Sequence, residues 1–441
     1  MATSLAPWVA PELRVEIGDT PSFNGTQQAL TGVVSLRVDQ LHTGVSTLDL
    51  TILNAAFQST TTTTELGARP APVTPPYRFN DFKTLNFGKY LKVYARYAGG
   101  GEASSTSALH VGHPKNTSYW TPLILARVTN LKFSLTGTGG QTVNVQGEDL
   151  LSLLKVTPEK DKNWTNALER DIADGIRGLV YASAGVPLAS PLVADSAVST
   201  RLRSKHQGKT QDHFQFLQSL ADELDYEMFV AFDLGTAQAT AKEVYAAKVE
   251  LHFERARSQG FREHEVVDLV YGKNIVNFQP SFQVWEQLTK VQGKMRDPGT
   301  SDAAAATAAS DAIKLDTPPA DRSRFLDAAT VRRSLGANAP AENVGQTRGA
   351  NLDAARARRK AERELLKRAR KFLTVEIDTI GMPSLRPGIF VKVHGFEAPF
   401  DGYYYVEKAR HTIDSGGYKT SVSVRRPGYT DPNAYPVQRS T

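Results

Sequence analysis

The sequence predicts a β-rich α+β protein in which one β-unit occurs twice, flanking a small α+β region, with a long flexible insertion in the second copy. Three observations predict it. The first is a repeat: Gly88-Lys-Tyr-Leu-Lys-Val-Tyr94 is answered by Gly388-Ile-Phe-Val-Lys-Val-His394. Upstream, Thr47-Leu-Asp-Leu-Thr-Ile52 is answered by Thr374-Val-Glu-Ile-Asp378, and downstream Val128–Val145 and Val406–Val424 each read as strand, Gly-Gly turn, strand. The second is alternation of apolar and polar residues outside the middle third, the mark of half-buried strands. The third is a switch to a spacing of three to four between Asn163 and Tyr226. With 441 residues and 40% hydrophobic content, the chain can bury a real core and divide into two to four domains.

The elements follow in order. Val34, Leu36 and Val38, then Leu48, Leu50 and Ile52, then Leu91 and Val93 alternate as strands. Loops interrupt them at Thr60–Thr64, which leads into Pro70, Pro72, Pro75 and Pro76, and at Gly99–Ser107. Leu168, Ile172, Ile176 and Leu179/Val180 mark an amphipathic helix ending before Gly185. Asp212 caps a second, with Phe214, Leu217, Leu220/Ala221 and Leu224 on one face. Met228–Phe232 and Val249–Phe253 read as strands, and Ile275–Gly293 is strand-like again. Residues 297–349 are rich in Ala, Pro, Asp and Gly, too poor in large apolar side chains to offset their ordering entropy, so a mobile insertion is expected, with Ala303–Ala309 briefly helical. Residues 351–373 predict a helix with a thin stripe of Leu352, Ala355, Leu365, Ala369 and Phe372/Leu373. Arg386-Pro387-Gly388-Ile389 predicts a type II turn.

Composition excludes several function classes. There is no cysteine, so disulfides, thiolate metal sites and cysteine nucleophiles are excluded. No run of about 18 apolar residues occurs, so no membrane span is expected. Met1–Pro11 lacks the pattern of a secretory signal, and a soluble protein made in the cytoplasm is expected. No cofactor site is read. His110 and His113 flank a Gly/Ser loop and Pro114 and read as surface residues, and His264-Glu265 lacks the second histidine of a zinc-protease helix. The glycines 137, 139 and 140 read as a hairpin turn, not a phosphate cradle. Asp222, Glu223, Asp225 and Glu227 read as a solvated face. No catalytic constellation emerges, so the expectation is a protein that is not an enzyme. The net charge is +6, small for this length. One segment competes for a binding role: the helix 351–373 carries Arg356, Arg358, Arg359, Lys360, Arg363, Lys367, Arg368, Arg370 and Lys371. It is read as facing a partner, with nucleic-acid binding as the alternative. A cell-wall-degrading enzyme is a weaker alternative.

Residues 368–424 run as helix, strand, Gly381-x-Pro-x-Leu-Arg-Pro-Gly388, strand, Asp401-Gly-Tyr-Tyr, strand with His411, Gly-Gly-Tyr418, strand, then Arg425-Arg426. This order resembles the second barrel of tail-hub proteins: the phage late-control D family, the hub of large contractile phages, and the N-terminal half of type VI VgrG spikes. Gln146-Gly-Glu-Asp-Leu-Leu151, His213–Ala221 and Tyr271-Gly-Lys-Asn-Ile275 are similar to further family segments. The resemblance implies two homologous β-barrel, or tube, domains at 30–155 and at 271–296 plus 350–428. Around them lie an N-terminal arm at 1–29, an α+β middle region at 156–270, the insertion at 297–349 and a tail at 429–441. The turn residues of the barrels would be Gly88, Gly139, Gly140, Pro387, Gly388, Gly402, Gly416 and Gly417. The implied function is a baseplate hub of a contractile tail or injection particle: a homotrimer whose six similar barrels join a hexameric tail tube to a trimeric spike. Its implied partners are the tail tube protein, a separate spike protein, since the chain stops at Thr441, and baseplate wedge components. Nucleic acid would meet it only in passage through the channel. The implied location is the bacterial cytoplasm during assembly, then a virion tail or injection particle.

Overall fold

The computed structural model describes residues 11–22, 28–55, 77–97, 120–135, 141–156, 162–186, 193–194, 202–233, 248–255, 266–296, 303–308, 310–315, 317–335, 344–350 and 354–431. The first β-unit comprises β1 (Pro11–Gly18), β2 (Gln28–Leu30), β3 (Val33–Leu41), β4 (Thr47–Leu53), β5 (Tyr90–Tyr97), β6 (Thr121–Ser134) and β7 (Thr142–Asp149). A 3-10 turn and the short helix α1 (Leu153–Val156) leave it. The segment set apart as an arm at 1–29 therefore supplies β1 and β2 to the sheet, with β1 pairing β5 over its whole length.

The middle region holds β8 (Lys162–Ala167), α2 (Glu169–Ser183), β9 (Val193–Ala194), β10 (Leu202–Gln207), α3 (His213–Leu224), β11 (Tyr226–Asp233) and β12 (Lys248–Arg255). Both predicted helices are present. Asp212 accepts the Gln215 N–H and caps α3, and Asp225, at φ 60°, ends it in the left-handed conformation and turns the chain directly into β11. Ile172, Ile176, Val180, Leu217, Leu220 and Leu224 are buried together in one cluster with Met228 and Phe253.

The second unit comprises β13 (Val267–Val270), β14 (Ile275–Phe282), β15 (Lys290–Arg296), β16 (Ala303–Ala308), α4 (Ser310–Leu315), a 3-10 turn at Pro319–Arg324, β17 (Phe325–Asp327), α5 (Ala328–Ser334), β18 (Val344–Ala350), α6 (Ala354–Ala369), β19 (Leu373–Ile380), β20 (Phe390–His394), β21 (Gly402–Asp414), β22 (Gly417–Arg426) and β23 (Gly428–Thr430). Residues 297–349, expected to be a mobile insertion, thus carry regular elements. Ile313, Ala328 and Ala329 are buried in the same cluster as Leu365 and Phe372. The composition argument counted apolar residues within the segment alone, whereas its few are covered by α6. The alanines expected to be briefly helical form β16, because pairing with β15 overrides alanine's helix preference.

The duplication is visible in strand pairing. The first unit pairs in the order β3-β4-β7-β6-β5-β1, and the second in the order β14-β19-β22-β21-β20-β13. Bulges fall at matching places: between Val33 and Ser35 and between Ile275 and Asn277, then between Val128 and Asn130 and between Val406 and Lys408. Even single hydrogen bonds repeat. The Gly88 N–H donates to Val128 O (2.9 Å) and the Val128 N–H to Lys89 O (2.8 Å), while the Gly388 N–H donates to Val406 O and the Val406 N–H to Ile389 O, both at 3.0 Å. Gly88 and Gly388 sit at φ 78° and 82°, which a side chain would strain. The last pair of units differs, since β1 meets β5 antiparallel and β13 meets β20 parallel.

The two units fuse into one thirteen-stranded, mostly antiparallel sheet through β21 and β3, which pair from Lys408–Leu41 to Ile413–Leu36. On one face of this joint Leu36, Val38, Ala409 and His411 are buried. On the other, Arg410 Nε and Arg37 Nε donate to Asp39 at 2.6 and 2.7 Å, and Lys408 lies 3.6 Å away. Burial works against the Asp39 charge, but the two arginines outweigh it and hold its carboxyl below the usual range.

Candidate partner interface

The basic helix α6 buries Ala361, Leu365, Leu366 and Ala369 against β15, β16 and β18. Most of its cations have carboxylate or other partners. Arg358 and Arg368 pair along the helix with Glu362 (2.9 Å) and Glu364 (3.3 Å). Arg363 and Arg370 reach across to Asp222 (3.5 Å) and Asp225 (2.8 Å) at the end of α3. Arg359 and Lys360 also have interaction partners. Lys367 and Lys371 face solvent, and the side chain of Arg356 lies outside the described residues. Phosphate binding draws on cations free to displace counterions, and this helix has committed many of its own. The apolar stripe and the cross-links make α6 a strut between the middle region and the second unit.

Of the acidic residues read as a solvated face, Asp222 and Glu223 are exposed as expected, while half-buried Asp225 and buried Glu227 depart from that reading. Glu223 pairs with Lys205, Asp222 and Asp225 with α6, and Glu227 with Arg425. Sequence reasoning treated them as a local cluster, but their partners lie up to about 200 positions away, where no local pattern points.

Glu227 sits at the meeting point of all three parts of the chain. The Arg425 guanidinium donates to Glu227 at 2.9 Å and to Glu407 at 2.6 Å, and the Tyr405 hydroxyl donates to Glu227. The guanidinium carbon lies 4.8 Å from the Tyr405 ring centre. His42, at the end of β3, brings Nε2 within 3.8 Å of Glu227 and 3.9 Å of Glu407, and its backbone N–H donates to Glu407 O. Glu227 and Arg425 side chains are only 6% and 8% exposed. Beside them, Arg426 is buried, donates to Asp321, Thr430 Oγ1 (2.8 Å) and Asp401 O (3.1 Å), and ties the 3-10 turn and β23 to β22. A Cβ at Gly402 would collide with that guanidinium.

The remaining turn residues serve packing. A Cβ at Gly388 would stand 2.8 Å from the Phe229 ring, so the Pro387-Gly388 turn fits flush on the middle region. Gly416 donates its N–H to Asp414 (2.7 Å), and Gly417 at φ 103° opens β22. Gly139 and Gly140 lie outside the described residues, as do His110, His113 and His264. A cavity of 40 Å³ lies between Gln40, Leu123, Asp149, Phe229, Arg386 and Pro387, room for water rather than a substrate. Burial pushes the Asp149 carboxyl up to about 7, against the N–H bonds it accepts from Ser46 and Leu151. Burial lowers His411 to about 4. Its Nε2 bonds the Leu385 carbonyl (3.0 Å), so Nε2 carries the proton and Nδ1 accepts from the Tyr418 hydroxyl (2.9 Å). Among the described residues, no group of three or more His, Cys, Asp or Glu could hold a metal, and no helix is long and apolar enough to cross a membrane.

Comparisons with known proteins place this architecture. A 43 kDa tail protein of prophage MuSo2 from Shewanella oneidensis is 14% identical, with a TM-score of 0.55 over 95% of this chain and 99% of that one. A tail protein from Neisseria meningitidis is 12% identical, with a TM-score of 0.56 over 97% and 100%. An Escherichia coli component of the type VI secretion system, described as similar in structure to the T4 bacteriophage tail proteins gp27 and gp5, is 11% identical, with a TM-score of 0.51 over 95% and 79%. The chain thus has a tail-hub-like fold, shared with phage tail and type VI proteins. A family model described as the Alg8 N-terminal domain matches residues 199–415, just under half of the chain, running from the middle region into β21. Nothing matches among curated proteins.

Proposed function

We propose that this protein is a structural hub of a contractile tail or of a phage-derived injection particle. In this reading the two β-units are tube-like barrels, at 30–155 and at 271–296 plus 350–428, and three chains set six of them in a ring. Such a ring has sixfold pseudo-symmetry for a tail tube and threefold true symmetry for a spike. The observation that carries the proposal is the repeated strand order, β3-β4-β7-β6-β5-β1 against β14-β19-β22-β21-β20-β13, within a fold shared with tail proteins. A duplicated unit with different connectors gives a chain that fits one partner sixfold and another threefold. The strut α6 and the Glu227–Arg425 junction support it further, because a ring under mechanical load needs its two units held at one angle. The partners in this reading are a tail tube protein, a spike and baseplate wedge components.

Light scattering with negative-stain imaging tests it. The expected species has three times the 48.2 kDa chain mass and appears as a ring with an axial opening. A monomer at every concentration, with no ring in the presence of tube protein, would overturn it.

A further inference from the structure

Resting on the hub reading above, we infer that the contact between protomers is a β-ladder joining β6 of one chain to β14 of a second copy, in a register dictated by the joint inside the chain. The bulges align the two units residue by residue. Val33 and Ser35 correspond to Ile275 and Asn277, and Val128 and Asn130 to Val406 and Lys408. Strand β3 is therefore the counterpart of β14, and β6 that of β21. Within the chain, β21 of the second unit is sealed against β3 of the first. Their counterparts, β6 and β14, occupy the two ends of the same relationship. Among the described residues, no strand pairs with β14 on the side away from β19, and none with β6 beyond Val128 on the side away from β7.

Transferring the internal register sets Leu131 opposite Phe282, Phe133 opposite Pro280 and Leu135 opposite Phe278. It sets Asn130 opposite Gln283, Lys132 opposite Ser281 and Ser134 opposite Gln279. Every apolar residue meets an apolar one and every polar residue a polar one, an outcome that a shift by one would destroy. Burial agrees. At the internal joint Leu36 and Val38 are 1% and 0% exposed, and His411 is 0%. Their unpaired counterparts Phe278 and Phe133 are half-buried and Pro280 exposed, while Phe282 is 41% and Leu135 50% exposed. Val276, the bulge residue on the same edge, is 70% exposed.

Hydrogen-bond phasing also fits. The Gln283 N–H donates to Phe372 O at 2.8 Å, so Ser281 and Gln279 also turn their backbone groups toward β19, and Phe278, Pro280 and Phe282 turn theirs to the open edge. Pro280 has no N–H, so this ladder has one bond fewer than the internal one. Proline at such a place blocks indiscriminate strand addition while its carbonyl still accepts. The outer face differs from the internal joint too: Asn130, Lys132, Gln279 and Ser281 replace the ion cluster around Asp39, so the apolar inner face must hold the seam.

The chain lacks cysteine, which makes disulfide trapping clean. Lys132 and Ser281 are exposed and would form a close, non-hydrogen-bonded pair across the seam, within disulfide reach. Under mild oxidation the Lys132→Cys/Ser281→Cys chain should form covalent trimers. A mixture of the two single variants should give dimers only. The out-of-register pair Lys132→Cys/Gln279→Cys should cross-link at least tenfold more slowly. If the wild type is a trimeric ring but the first pair does not cross-link, or the out-of-register pair is faster, the seam is wrong and the hub reading stands. If the wild type is monomeric and no variant cross-links, both are overturned.

Discussion

Replacing Glu227 by Gln, Arg425 by Met, and then both together, would measure how firmly the three parts of the chain are joined. Glu227 and Arg425 are nearly sealed from solvent and 2.9 Å apart, and each has a further partner in Tyr405 or Glu407. Removing one member leaves the other as a buried charge, which typically costs about 3–5 kcal/mol. The Glu407 contact adds little, because Glu407 is about one-third exposed and water screens it. Losing the guanidinium from the Tyr405 ring adds about 1–2 kcal/mol to the arginine variant. The double variant leaves neither buried charge of the pair behind, so its cost should fall below the sum of the singles by up to about 3 kcal/mol. Urea unfolding followed by fluorescence, with hydrogen exchange on β11 and β22 to localise the loss, reads both quantities. Single variants that cost less than about 1 kcal/mol, or costs that simply add, would refute the view of this junction as a buried clamp.

Two more outcomes follow from the same contacts. His411 is neutral and enclosed, with its folded value near 4 against an ordinary 6.5, so the unfolded chain takes up the proton first. Stability from this group is full above about pH 6.5 and is lost as pH falls toward 4, on the order of 3 kcal/mol in all. Exchange of β21 and β22 amides, corrected for intrinsic rates, should quicken across that window, and a flat profile would contradict the assignment. At the end of α6, Arg370→Met should cost about 2–4 kcal/mol by taking the buried guanidinium away from Asp225, while Lys367→Met stays within about 0.5 kcal/mol. Equal losses in thermal or urea unfolding would show that the helix does not divide into bound and free cations.

The repeat was legible because it is written in local pattern. Gly88 and Gly388 hold the same turn, and the alternation on each side fixes which residues face inward. The caps of the middle helices were legible for the same reason, since Asp212 acts within three residues of itself. What stayed hidden is what depends on distance along the chain. Asp225 and Glu227 looked like a wet surface because nothing near them in sequence is basic, and their partners Arg370 and Arg425 are brought to them only by the fold. Residues 297–349 looked incapable of order because Ile313, Ala328 and Ala329 are too few alone, yet they complete a core whose larger part comes from α6 and from β19 to β22.

The way the two copies have diverged carries information that neither copy holds alone. Equivalent positions keep their character where the surroundings are equivalent: Leu50 and Ile377 are both buried, as are Val145 and Val422. They differ where one copy is sealed inside the chain and the other is left at an edge. Val38 and His411 meet within the chain, and at the matching edge positions stand Pro280 and Phe133. A valine is free to complete a ladder at an edge that is never bare. A proline suits an edge that is bare until the right strand arrives, because it deters other strands while still accepting one bond. Asp39, flanked by three cations at the internal joint, is matched by Ser281, which has none to satisfy. The substitutions thus follow the difference between a joint sealed within the chain and an edge left open, which is the pattern that the proposed assembly from separate chains would impose.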